Sequence, residues 1–446
     1  MYDPLLAPFP ASKQAFPDSY WFSTAKDIVA KETLPILTDT IDADVAIIGG
    51  GYTGLSAAIH LAKAGIKPVL LEANDSGWGC SGRNGGFVLG GTGRLGMSAM
   101  QKKWGNDTAS AIYQEFQTSI DTVQSLIDEG NIECDKIVGG YMKLAHNASM
   151  TQQLQQQADA LSASFSESVS FVPANEVKNG YINTNLHYGG LYYPKCFAIN
   201  PLKLARGYQR LALSHGATLY GQSPVKDWQQ SQGQHQLITP QGQVNAKQVI
   251  IATNGYTGNA LHPLVNNRHF PVISSIIVTR PLSSEELQAI GMKSGLMAMD
   301  TRSLKYYYRL LPDNRLLFGG RGAIAGKNAD KALYRQRLET GLASTFPRLS
   351  NIDIDYFWSG WISVSLDDYP RLWHSDDRSI HYAMGYCGSG VAFGAQAGKR
   401  LAQMVTNDKT LPSLPYWQSP LKTFPFAAMR RLGLSAFYVF ANMFNH

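Results

Sequence analysis

The 446-residue chain is poor in several features that would mark particular classes of protein. Its four cysteines, Cys80, Cys134, Cys196 and Cys387, lie too far apart for a C-x-x-C pair or a metal-binding spacing. That spacing argues against a disulfide scaffold and a zinc module, and no metal site is expected. Four reduced thiols suit a cytoplasmic protein. Charged residues make up 16% of the chain, and no run of Lys or Arg exceeds two. The net charge of +6 therefore outlines no nucleic-acid surface. No window reaches the roughly 20 apolar residues of a membrane span. The closest, Leu432 to Phe444, is uncharged but too short. The first residues are broken by prolines and lack the apolar run of a secretory signal.

Apolar material is plentiful, at 44%, and the length suggests two or three domains. After an irregular arm, Asp44–Ile48 reads as a strand, Thr53–Ala64 as a helix and Pro68–Glu72 as a second strand, making a βαβ unit. Helical patterns follow at 98–129, 151–163 and 201–215, and an apolar strand run at Gln248–Ala252. Between about 265 and 355 the texture changes. Pro271–Thr279, Lys305–Leu311 and Arg315–Gly319 read as strands around a turn at Pro312-Asp313-Asn314. Residues 391–405 return to helix. The expectation is an α/β chain: a Rossmann-type cofactor domain (36–100, 196–264 and 355–412) interleaved with an α+β substrate domain (101–195 and 265–354) on a mainly antiparallel sheet. An arm (1–35) and an apolar tail (413–446) flank them.

The most specific motif is Gly49-Gly-Gly51-Tyr52-Thr53-Gly54, a G-x-G-x-x-G that follows a strand and opens a helix. Gly49 permits the tight turn, Gly51 lets a pyrophosphate approach the backbone, and Gly54 lets helix and strand pack closely. The helix start offers free N–H groups to phosphate. Glu72 ends the second strand, where an acid accepts hydrogen bonds from a ribose, and it argues against a 2′-phosphate. One such fingerprint is present. The other glycine-rich stretch, Gly319–Gly322, lies outside any βαβ unit.

Ser81-Gly82-Arg83-Asn84-Gly85-Gly86, nine residues after Glu72, joins that fingerprint in resembling the D-amino-acid oxidase-like family of FAD enzymes, and most closely its γ-glutamylputrescine oxidoreductase branch. The resemblance continues through Ile251–Tyr256, Tyr307–Leu310, Arg315–Gly320, Trp358–Pro370 and Gly385–Gly390, roughly residues 40–405. It implies a non-covalent FAD, because the positions that carry a linking cysteine or histidine in some relatives hold neither. It implies cofactor contacts from Gly49, Gly51, Tyr52, Thr53, Gly54, Glu72, Ala73, the loop Ser81–Gly86, Val225, Ala252, Thr253, Asn254, Gly255, Trp358 and Gly360, and from Gly388, Ser389, Gly390 and Val391. The last group opens a helix whose dipole suits the negative charge of a reduced flavin. Arg83 and Asn84 are expected to supply donors beside the pyrophosphate and flavin.

Two departures bear on substrate. Ile362 stands where amino-acid-oxidising relatives carry a carboxylate-pairing arginine, and Ala392 where sarcosine-oxidising relatives carry a lysine. The expected reaction is therefore oxidation of a small primary or secondary amine to an imine, by hydride transfer to flavin N5. Tyr307, Tyr308 and Trp358 are the candidates for an aromatic wall that positions the amine and keeps it neutral. Neighbours in a strand face opposite sides, so at most one tyrosine faces the flavin, and Tyr308 is favoured. Arg309 is a candidate for a distal carboxylate. Two alternatives stay open: an amino-acid or N-methyl-amino-acid oxidase, and a flavoprotein acting with a protein partner. The expected partners are a small amine and at most a second copy of the chain, with no nucleic acid. Residues 424–444 are expected to pack on protein rather than on the surface of the inner membrane.

Overall fold

The computed structural model describes residues 1–165, 169–231 and 233–444. The β-branched run Val45–Ile48 becomes the inner half of a strand, Thr40–Ile48, whose last four residues are buried. It pairs in parallel with Pro68–Leu71 on one side and Gln243–Ile251 on the other. Thr218–Tyr220 extends the parallel set beyond Pro68–Leu71. Gln243–Ile251 pairs through its first half with the antiparallel Gln234–Ile238 and through its end with the parallel Ile380–Met384. The helix Tyr52–Lys63 covers this sheet and packs on Gly390–Val405. Gly398 makes that contact close: a Cβ there would stand 2.5 Å from the Thr53 carbonyl oxygen.

The second sheet has eight strands, in the order Ile354–Val364, Phe270–Pro281, Arg315–Arg321, Tyr307–Leu310, Met297–Asp300, Tyr141–Leu144, Gly190–Tyr193 and Ser170–Val172. All neighbours are antiparallel except Met297–Asp300 with Tyr141–Leu144. One face carries Tyr308, Phe318, Leu316 and Ala298 into a core closed by the helix Ala332–Thr345. The other face turns Tyr307, Met297, Tyr141 and Leu191 into a large core shared by the cofactor domain and the helices Asn106–Glu129 and Ala148–Ser164. The assignment of residues 355–364 to the cofactor domain is corrected here. They form an edge strand of the substrate sheet, paired with Phe270–Pro281 from Phe270↔Val364 to Thr279↔Ile354.

The arm is more ordered than its prolines suggest. Two short helices, Tyr20–Ser23 and Lys26–Lys31, seat Tyr20 and Trp21 in a core with Trp358 and Leu317. The tail ends in a helix, Arg430–Phe444, anchored where Arg431 pairs with Asp3 of the arm and Arg430 donates to the His269 carbonyl. Phe426 before this helix and Leu432, Val439 and Phe440 on it are exposed. Among the described residues, no helix is long and apolar enough to cross a membrane.

Candidate active site

The glycine-rich turn builds one wall of a cleft enclosing about 1250 Å³ of empty space, its open mouth included. Gly49 sits at φ +110°, a conformation side chains oppose, and a Cβ there would lie 2.9 Å from the Ala252 carbonyl oxygen. A Cβ on Gly54 would meet the Gly49 oxygen at 1.9 Å. Gly51 is different: its added Cβ would meet only the Ser81 side chain, at 2.8 Å. Its bareness therefore keeps the cleft clear rather than the backbone unstrained.

Two helices begin at this cleft, and neither Gly51 nor Ser389 offers a side-chain cap. Their first N–H groups and dipoles suit an anion. Tyr386 and Thr53 share a hydrogen bond of 2.7 Å that ties the two helix starts together. Ser81 Oγ accepts from the Tyr52 N–H at 3.0 Å, which leaves its own proton for a ligand. Glu72 is held by two backbone donors, Gly50 N–H at 2.6 Å and Asn74 N–H at 2.9 Å. Burial raises its carboxyl above the ordinary range, against those two bonds. Asn254, at φ +39°, accepts from the Gly385 N–H at 3.1 Å and so joins the end of the strand Gln243–Ile251 to the last glycine-rich turn.

An acid, a bare glycine turn and two uncapped helix starts fit FAD: the helix start at Tyr52 would hold its phosphates, the one at Gly390 would face its flavin and Glu72 would hold its ribose. Gly49, Gly51, Tyr52, Thr53, Glu72, Ala73, Ser81, Asn84, Val225, Ala252, Thr253, Asn254, Gly255, Gly388, Gly390 and Val391 all line the cleft. Gly54, Gly82, Gly85, Gly86, Gly360 and Ser389 stand behind it and act through packing: a Cβ on Gly82 would collide with the Gly77 oxygen, and one on Gly360 would press on Arg83.

Four expectations are corrected by side-chain placement. Arg83 faces inward, donating to the carbonyls of Trp78 (2.8 Å) and Ser359 (3.3 Å) and lying over the Trp78 ring. Asn84 lines the cleft but spends its amide on Cys80, Ser81 and Gly86. Both shape the loop rather than offer free donors. Tyr308 lies on the far face of the substrate sheet, fully buried against Phe318 and Phe346. The tyrosine that faces the cofactor domain is Tyr307, edge-on to Phe87, over Gly85 and bonded to Ser274 Oγ at 2.9 Å. Trp358 is buried on that same face and donates to the Arg83 carbonyl at 2.8 Å. Arg309, expected to meet a distal carboxylate, is instead buried there, donating to the Ile199 carbonyl at 2.7 Å and stacked on Trp21. Burial lowers its guanidinium to about 9.

Ile362 does line the cleft, whereas Ala392 is packed inside its helix. The cysteine on the cleft wall, Cys80, is pushed up to about 11 by burial and so stays a neutral thiol. Sequence reasoning missed Pro8, Phe9 and Pro10 of the arm, which close one side of the cleft. Nothing local marks them; their place depends on a contact 250 residues away, where the Pro8 oxygen lies 1.7 Å from the position of a Cβ on Gly258. It also missed Trp78, Tyr256 and Tyr386, although the last two belong to motifs already singled out.

Comparison with known proteins bears on the same cleft. Residues 44–404 match the family model described as FAD dependent oxidoreductase, DAO. The chain is 32% identical to gamma-glutamylputrescine oxidoreductase of Escherichia coli (strain K12) over 422 residues, covering 92% of this chain and 96% of that one. It is 22% identical to glycine oxidase of Bacillus subtilis (strain 168), over 82% of this chain and 93% of the other. Among solved structures, glycine oxidase from Geobacillus kaustophilus superposes with a TM-score of 0.71 at 21% identity, covering 86% of this chain and all of that one. L-proline dehydrogenase from P. horikoshii superposes at 0.70 and 18% identity, covering 86% and 96%. These two likenesses are of fold. The family match spans most of the chain, and it falls on the segments that build the cleft: the chain belongs to the DAO family of FAD-dependent oxidoreductases.

Proposed function

We propose that this oxidoreductase converts a small primary or secondary amine of the γ-glutamylputrescine type to its imine, which water then hydrolyses. Bound FAD supplies the acceptor for the hydride, at its N5. The observation that carries the reading is Ile362. Its side chain lines the cleft at the position where a carboxylate-pairing arginine would mark an α-amino-acid substrate. An apolar wall there leaves an α-carboxylate unpaired, which is costly in a closed site.

The protein's part is to bind, orient and desolvate. Tyr307 is the aromatic wall we assign to the reacting amine, held in place by Ser274 and Phe87. Trp358 fixes the loop beneath it through the Arg83 carbonyl. An apolar enclosure lowers an amine's pKa by disfavouring its cation, and so favours the neutral form that can give up hydride. The cofactor residues are those that line the cleft, and the FAD is held without a covalent bond; acid precipitation is expected to leave the yellow colour in the supernatant.

The test is anaerobic bleaching of the flavin-loaded protein by γ-glutamylputrescine, putrescine, sarcosine, glycine and D-alanine. Rapid bleaching by γ-glutamylputrescine, with none by the amino acids, is expected. Bleaching by glycine, sarcosine or D-alanine in its place overturns the argument from Ile362. Recovery of colour on admitting air identifies oxygen as the electron acceptor, and its failure points to another acceptor.

A further inference from the structure

The cofactor-facing side of the substrate sheet changes character along its strands. One lateral row runs Trp358–Ile276–Gly319–Tyr307–Met299–Lys143, each paired with the next. One step away from the cleft lies the row of Arg309, closed beneath Ile199 and Trp21. One step the other way, Ser274 pairs with both Gly360 and Arg321. That direction leads to the cleft, because Ile362, two residues past Gly360, lines it. Tyr306 turns to the opposite face against Phe318, which returns Lys305 to the Tyr307 side beside Arg321.

A fourth cation approaches from the cofactor domain. Arg94 pairs with Asp368 at 3.4 Å, and Gly93 packs on Asp368 and Cys387, next to the cleft-lining Gly388. Lys305 stays exposed, yet protein atoms crowd its ammonium and, together with the charges of Lys143, Arg321 and Arg94, bring it down to about 8. The acids in reach are already committed. Asp368 belongs to Arg94, and Asp300, on the far side, is joined to Arg302. Lys143 leans on an amide, that of Gln157. Among the described residues, no carboxylate lies within ion-pair distance of Lys305 or Arg321.

We propose that Arg321 and Lys305, backed by Lys143, form an anion subsite that holds a carboxylate at the far end of the amine substrate. This rests on the amine-oxidation reading and narrows it: the substrate carries an anion remote from the oxidised carbon, with apolar Ile362 near one end and free cations at the other. Unpaired cations drawn together near a closing site are unfavourable until an anion joins them. A charge-assisted contact to a guanidinium then supplies both affinity and direction.

The holoenzyme tests this in two ways. In anaerobic bleaching, γ-glutamylputrescine is expected to half-saturate at least about tenfold below putrescine, which lacks the carboxylate. Arg321→Gln and Lys305→Gln should each remove most of that advantage while leaving putrescine within about threefold, and Arg321→Lys should restore part of it. Equal half-saturation by the two amines in the unaltered enzyme, or equal weakening of both in the variants, overturns the subsite. Calorimetric binding of glutarate, a dicarboxylate that cannot be oxidised as an amine, reads the cations apart from turnover. Binding that the double variant loses supports the subsite, and no binding to the unaltered protein overturns it. If no amine bleaches the flavin while glutarate still binds, the function fails and the subsite stands.

Discussion

The two walls of the active site are built on different principles. The cofactor wall is made of backbone: bare glycines, uncapped helix starts and carbonyls, with Glu72 held by main-chain donors. The wall we assign to substrate is made of side chains on a sheet, where a step of one residue exchanges Tyr307 for Tyr308 and the cofactor side for a closed core. A backbone site tolerates almost no added atom. A side-chain site answers changes on its hidden face with lost stability and changes on its open face with lost function. Substitutions on the two walls should therefore fail in different ways.

The largest effect is expected on the cofactor wall. Gly51→Val keeps an ordinary backbone conformation but pushes bulk into the cleft against Ser81. It should leave a folded protein that retains no flavin, a loss of at least about 100-fold in affinity, or about 2.7 kcal/mol. The ratio of flavin to protein after gel filtration checks it. On the substrate wall, Tyr308→Ala empties a fully buried aromatic site and should cost about 3–5 kcal/mol of stability. The turnover of the fraction that stays folded should not change. A fall in turnover with intact stability would place Tyr308 at the chemistry and erase the contrast between the two faces.

Acid should separate the regions next. Burial holds His381, in the cofactor sheet, and His269, just before the strand Phe270–Pro281, at about 4 from an ordinary 6.5. The native state stays neutral at both while the unfolded chain takes up protons. Their contribution is thus present above pH 6.5 and is lost as pH falls toward 4, by about 3 kcal/mol each. His60, on the cofactor helix, is lowered in the same way. Flavin release, followed by its fluorescence, should precede loss of the far-ultraviolet signal on acidification. Release only together with global unfolding would show that the cofactor domain is not the weaker region in acid.

The same contrast explains what could be read from sequence. A G-x-G-x-x-G, an acid at the next strand end and a glycine-opened last helix are local and fixed in spacing, and most of their residues line the cleft. What side chains do across a sheet depends on register, which composition does not contain. So Tyr308 was favoured over Tyr307, Arg83 was expected to face the cofactor, and the strand through Trp358 was given to the wrong domain. Arg321 and Lys305 lay inside segments already quoted, Gly319–Gly322 and Lys305–Leu311. Their significance needed the row that aligns Ser274 with Arg321. The arm's share of the cleft was out of reach for a related reason: it rests on contacts hundreds of residues apart, such as the Trp361 indole donating to the Tyr2 carbonyl at 2.7 Å.

Two removals of a single oxygen give the finest test of the two faces. The Tyr307 hydroxyl is bonded to Ser274, and burial raises its pKa to about 12, so it is neutral in the working range. Tyr307→Phe removes the bond to Ser274, whose own proton stays on the Gly320 carbonyl, and loosens the ring; it should weaken amine binding by about 1 kcal/mol, roughly fivefold. The Tyr308 hydroxyl is buried with no hydrogen-bond partner among the described residues. A buried hydroxyl without a protein partner costs about 1–3 kcal/mol of desolvation. Tyr308→Phe keeps the stacking on Phe318 and removes that cost. The melting temperature should hold or rise slightly, with amine binding and turnover unchanged. A lower melting temperature would mean that the hydroxyl has a partner, such as a buried water, and that the closed face is wetter than its packing implies.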